Sequence, residues 1–105
     1  MRVVILESAQ SDLMALRGYI VKNFSTTTWQ ATYTKLKTTI RNLAMFPHLG
    51  GIPDELASLN LTQYRQVLSG MNRIIYEVRH EVVYVHLIVD TRRDLKDVLM
   101  QRLLR

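Results

Sequence analysis

Between Tyr64 and Arg93 the chain reads YRQVLSGMNRIIYEVRHEVVYVHLIVDTRR, in which apolar and polar positions alternate. A period of two marks a half-buried strand. With His80 and Glu81 as a two-residue turn, Arg79 faces Val82, and the pairs Val78–Val83, Tyr76–Val85 and Ile74–Leu87 follow on one face. All are apolar or aromatic, as a face packed on a core requires. The other face then collects Glu77 with Tyr84, Ile75 with His86, and Arg73 with Ile88. A one-residue slip would carry the valines into water, so this register is expected throughout. It places Arg73 on the outer face of the sheet, beside His86 and near the strand exit that leads to Arg92 and Arg93.

Upstream the period changes. Residues 2–6 are short and β-branched, which predicts a first strand. Ser8 offers an N-cap for a helix through about Asn23, with Leu13, Leu16, Ile20 and Phe24 as its apolar stripe. After the polar stretch 25–28, Thr27 and Gln30 have the form of a capping box. A second helix follows, with Trp29, Tyr33, Leu36, Ile40 and Leu43 at threes and fours, and it stops before Pro47. So short a connection predicts an antiparallel helical hairpin. Residues 47–60 hold both prolines and two of the four glycines, so a loop is expected, with one helical turn at 54–59. Asp90 or Thr91 is placed to cap a last helix carrying Leu95, Val98, Leu99 and Leu103 on one side. The predicted order is β-α-α-β-β-β-α, an α+β fold with a three-stranded antiparallel meander and helices on one face of the sheet. The apolar end of the last helix, through Leu103 and Leu104, is expected to want a cover.

Composition narrows the chemistry. A chain of 105 residues with 48% hydrophobic and 22% charged positions predicts one globular domain over residues 1–105. It has no cysteine, which excludes disulfides, zinc–thiolate sites and thiol nucleophiles. That fits a reducing cytoplasm, and neither a metal ion nor a cofactor is expected. The first residues are too short an apolar run for a signal peptide, and no segment approaches the length of a membrane span. The net charge of +5 favours acidic partners and leaves direct nucleic-acid binding open. The last fourteen residues hold five basic residues against two acids, so positive potential should peak at the C-terminal helix.

Several pieces in order resemble the RelE/ParE superfamily of toxins from bacterial toxin–antitoxin pairs. They are Ala9-x-x-Asp12-Leu13, Leu43-x-x-Phe46-Pro47 with Gly50, Tyr64-Arg65, Arg73-Ile74-Ile75-Tyr76-Glu77-Val78 and Arg92-Arg93-Asp94, together spanning nearly the whole chain. In the RelE-like branch the resemblance implies a ribosome-dependent mRNA endonuclease. Its cleavage leans on strand lysines, sheet arginines and a late tyrosine or histidine. Such a reaction needs a proton acceptor, a proton donor and cations for the developing phosphorane charge. Here Arg73 and Arg92 or Arg93 match the arginines, but the lysine positions fall at Tyr64 and Gln66 and the late aromatic at Val98 or Leu99. The ParE-like branch lacks the nuclease set and has a longer hairpin, which suits helices of about sixteen and twenty residues. It implies a non-enzymatic poison of DNA gyrase, neutralised by a ParD-like or similar antitoxin. A non-toxic relic that only binds an antitoxin is the further alternative.

The candidate contacts for target or antitoxin are Arg65, Arg73, Ile75, His86, Ile88, Arg92, Arg93, Arg102 and Trp29. Arg73 either binds a partner or covers the sheet with its stem. Arg92 and Arg93 oppose the dipole of the helix they precede, which hints at a partner carboxylate, although Asp90 and Asp94 are near enough to neutralise them. His86 is a general base by type, but without a second histidine at ligand spacing it reads as structural. Trp29 and Tyr33 belong either to the core stripe or to an aromatic contact surface. Asp54 and Glu55, adjacent in a Gly/Pro loop, read as solvated carboxylates.

Overall fold

The computed structural model describes residues 1–103; Leu104, expected at the uncovered apolar end, lies outside them. In chain order the elements are β1 (Arg2–Ile5), α1 (Glu7–Asn23), α2 (Thr26–Met45), α3 (Asp54–Ala57), β2 (Tyr64–Ser69), β3 (Asn72–Arg79), β4 (Val82–Asp90) and α4 (Leu95–Leu103). The fold is α+β as the patterning predicts, with α3 as the helical turn expected in the loop. The sheet runs β1-β4-β3-β2. Strands β2, β3 and β4 form the antiparallel meander, and β1 lies parallel to β4.

At the β3–β4 hairpin, His80 and Glu81 sit at φ 49° and 62°, the left-handed pair that matches the twist of two-residue hairpins. The expected register holds from Arg79–Val82 through Tyr76–Val85. There a β-bulge intervenes. The next pairs are Ile75–Leu87, Ile74–Ile88 and Arg73–Val89, so the expected pairs Ile75–His86, Ile74–Leu87 and Arg73–Ile88 do not form. His86 is the extra residue. The bulge exchanges the faces of the residues that follow it: Ile88 joins Val83 and Val85 under the hairpin, Leu87 and Val89 turn to the opposite face, and both faces have a core waiting.

One core holds Ile74, Tyr76, Val83, Val85 and Ile88 against Ala9, Leu36, Ile40 and Leu43 of the hairpin. The second holds Ile75, Leu87 and Val89 against Leu56 of α3 and Leu95 and Val98 of α4. Helices therefore cover both faces of the sheet, not one as the patterning suggested. The sequence pattern had merged this second apolar cluster with the first.

Helix ends differ from expectation in detail. The N-cap of α1 is Leu6 with no side-chain cap bond, because Ser8 turns its hydroxyl to the His86 carbonyl instead, 3.1 Å away. Ser25, not Thr27, caps α2 by accepting from the Thr28 amide at 3.0 Å. Asp94 rather than Asp90 or Thr91 meets the first free amide of α4, that of Lys96, at 2.9 Å. Phe24 falls past the end of α1, where it is exposed rather than in the core.

Candidate functional site

The bulge builds the first candidate surface. Strand β1 accompanies β4 only as far as Val85, whose carbonyl accepts from the Leu6 amide at 3.1 Å. Beyond it, β4 has no second strand neighbour among the described residues. Backbone groups at a buried edge need partners, and here side chains supply them. The His86 carbonyl accepts from the Ser8 hydroxyl and, at 2.9 Å, from Arg102 Nη1. The Ile88 amide donates to Asp12 Oδ2 at 3.0 Å. Asp12 Oδ1 in turn accepts from Arg102 Nη2 at 2.7 Å. One carboxylate and one guanidinium thus tie α1, β4 and α4 together through charge-assisted bonds.

A groove of about 570 Å³ continues along that edge between α1 and α4, lined by Leu16 and Tyr19, by Ile88 to Asp90, and by Arg92, Arg93 and Arg102. Arg92 grips Asp90 with Nε and Nη2, both at 2.9 Å, and this hydrogen-bonded pair holds the Asp90 carboxyl below the usual range. Arg93 is exposed and has no acidic partner among the described residues.

The outer face of the meander is the second candidate. Arg73, only 8% exposed, donates from Nε to Gln66 at 2.7 Å and from both terminal nitrogens to Glu55, at 2.8 and 3.3 Å. The Arg73 bond holds the Glu55 carboxyl below its ordinary value against the opposing effect of burial. Glu55 is therefore the anchor of α3 on the sheet and not a free loop acid. Nearer the hairpin turn, His86 Nε2 lies 3.0 Å from Oε1 of the buried Glu77, with the Tyr64 ring perpendicular to the imidazole at 5.2 Å. Arg79 is 3.9 Å from the same carboxylate.

The remaining candidates separate. Arg65 donates to the Gly50 carbonyl at 2.7 Å, and the Gly50 amide donates to the Tyr76 hydroxyl at 2.9 Å, which stitches the loop before α3 onto β2. Burial pushes the Tyr76 phenol up. A Cβ at Gly50 would collide with the Gln66 carbonyl, so only glycine fits there. Ile75 and Ile88, expected on the outer face, are 1% and 5% exposed and belong to the two cores. Ile75 keeps the outer face but is covered there by α3 and α4, the bulge turns Ile88 to the hairpin side, and neither side chain is available to a partner. Trp29 is half-buried and stacks on Tyr33 at 5.3 Å, with Lys37 over the Tyr33 ring at 4.6 Å. The pair forms a surface ladder along α2 rather than part of the core.

The structure thus gathers Arg92, Arg93 and Arg102 at one groove, Arg73 and His86 on the outer face, and leaves Arg65 and Trp29 apart. Sequence reasoning read Glu55 as a solvated carboxylate and gave Asp12 and Glu77 no contact of their own, yet these three acids fix Arg73, Arg102 and His86. Ser8 and Asp12 did carry a signal: polar residues four apart, in line with Leu16, at the border of an apolar stripe. Among the described residues no group of three or more His, Asp or Glu is placed to hold a metal ion, and no helix is long and apolar enough to cross a membrane.

Comparison with curated proteins returns no match. The family model described as the ParE toxin of the type II toxin–antitoxin system, parDE, matches residues 3–95, from β1 to the first residue of α4. With that match over all four strands and the helical hairpin, the chain belongs to the ParE toxin family, the toxin components of type II toxin–antitoxin systems.

Proposed function

We propose that this toxin works in the cytoplasm by binding DNA gyrase and trapping its complex with cleaved DNA, and that a ParD-like antitoxin neutralises it. The observation that carries a binding role over chemistry is Arg73. The cation best placed to meet a scissile phosphate is spent on Glu55 and Gln66, and Tyr64 and Gln66 stand where the nuclease branch carries lysines. Binding through a basic surface and a long hairpin of 17 and 20 residues needs no proton transfer. Trapping follows if the toxin has higher affinity for one conformation of its target than for the others.

Purified toxin, gyrase and supercoiled plasmid test this together. Linear, protein-linked DNA is the expected product, and unchanged plasmid supercoiling by gyrase in the presence of folded toxin would sink the reading. A second reading, cleavage of ribosome-bound mRNA, is favoured by one contact, the carboxylate-held His86. Under it, His86→Ala would abolish new 5′ ends within codons, whereas under the gyrase reading no such ends arise with either protein.

A further inference from the structure

Helix α2 carries charge of one sign. Its 20 residues include Lys35, Lys37 and Arg41 and no aspartate or glutamate. Lys37 and Arg41 continue the line that Trp29 and Tyr33 begin, because positions 29, 33, 37 and 41 are each four residues apart. Four helical residues rise about 6 Å, so these side chains form one ridge about 18 Å long. Neither cation has an acidic partner among the described residues. Beside the ridge lies a hollow of about 220 Å³, where Val3 and Ile5 of β1 and Leu13 of α1 face Tyr33, Lys37 and Arg41, and no acid lines it. Arg17, one turn beyond Leu13 on α1, is exposed and likewise has no acidic partner among the described residues.

The aromatic end of the ridge is only half used. Tyr33 is held between Trp29 from the preceding turn, stacked at 5.3 Å and 12°, and the Lys37 ammonium from the following turn, 4.6 Å from the ring centroid. Trp29 has Tyr33 on one face, and no other ring or cation stacks on it among the described residues. A free π-face at one end of a stack, with cations at one-turn steps beyond it, matches what a single nucleic-acid strand requires: an aromatic platform for a base and positive charge for its phosphates. An acidic peptide would pair with the cations but leave the indole face without a role.

We infer that the ridge Trp29–Tyr33–Lys37–Arg41 binds an unpaired nucleic-acid strand, one base stacking on Trp29 and the neighbouring phosphates lying against Lys37 and Arg41. Such binding needs neither gyrase nor an antitoxin, and it stands whether or not the toxin traps cleaved DNA.

Trp29 is the only tryptophan in the chain, so its fluorescence reports on the stack directly. Purified toxin alone is titrated with oligothymidylate, with oligouridylate of the same length and with duplex DNA. A single strand should quench Trp29. Quenching by the first alone assigns DNA, by the second alone RNA, and by both any unpaired strand. The logarithm of affinity should fall with the logarithm of salt concentration at a slope of about −1.4, for two phosphate contacts. Lys37→Glu with Arg41→Glu should weaken binding by roughly a hundredfold, read as anisotropy of a labelled strand. Trp29→Ala should weaken it by roughly tenfold, whereas Trp29→Phe, which keeps a ring, should stay within about threefold. Melting curves by circular dichroism establish that each variant is folded. Binding that leaves Trp29 fluorescence unchanged, or that survives the two charge reversals, belongs to another basic surface and overturns the inference. Equal affinity for duplex DNA, equal competition by polyglutamate, or no binding by folded toxin at low salt overturns it as well. None of these outcomes alters the expected result of the gyrase assay.

Discussion

The two halves of β4 solve the same problem in different ways. From Val82 to Val85 the strand lies between β3 and β1, and its inner residues Val83 and Val85 are fully buried. From His86 to Asp90 it keeps β3 but loses β1, and a hydroxyl, a carboxylate and a guanidinium stand in for the missing strand. The first half is held by a ladder that local alternation specifies. The second is held by side chains from residues 8, 12 and 102, far away in sequence. A ladder closes an edge completely, but three side chains cannot, and the groove is what remains.

The largest expected effect tests the packing just beyond the bulge. Ile88→Ala should destabilise the chain by about 2–5 kcal/mol in urea unfolding, because Ile88 sits in the core under the hairpin. Both faces of the sheet are covered, so a change within about 0.5 kcal/mol would mean that Ile88 packs in neither core. A small effect would therefore erase the distinction between the halves.

Asp12→Ala should come next. It strips the Ile88 amide of its acceptor and Arg102 of its partner, at a cost of about 1–3 kcal/mol. If the side chains do replace a strand, a double-mutant cycle with Arg102→Ala should show coupling, since the two groups share one network. Additive losses would mean that α4 is held by its apolar contacts alone.

Acid should affect the outer face before it affects the first half of β4. The Glu55 carboxyl is depressed in the fold by Arg73, so its contribution to stability is complete above the ordinary glutamate range and fades as pH falls through the depressed value. Glu55→Gln should flatten that part of the acid-unfolding profile followed by circular dichroism and leave the neutral-to-alkaline arm unchanged. An identical acid profile in the variant would show that Arg73 is not tied to Glu55 in solution. The smallest effect should be that of Arg92→Ala. Its pair with Asp90 is solvent-exposed, and the urea midpoint should not move measurably.

Much of this was legible from the residues. The turn at His80–Glu81, the register through Tyr76–Val85, and the stripe Leu36, Ile40 and Leu43 all follow from patterns a few residues long. The failures cluster where a pattern admits two solutions. Leu87-Ile88-Val89 is apolar at every position, so alternation cannot say which residue faces which way. Trp29 and Tyr33 share the helical spacing of the buried stripe yet stack on each other at the surface. Arg73 was legible as an outer-face arginine, but its partner was not, since Glu55 comes from a loop whose path only folding decides.

The sequence by itself determined the element order, the family and the hairpin with its first four strand pairs, because each depends on local periodicity and turn chemistry. Tertiary structure alone decided the bulge, the second core under α3 and α4, and the ion pairs Arg73–Glu55 and Arg102–Asp12. The physical reason is distance along the chain. Where an apolar run can bury either face, the choice falls to whatever packs against it, and here those residues come from opposite ends of the chain.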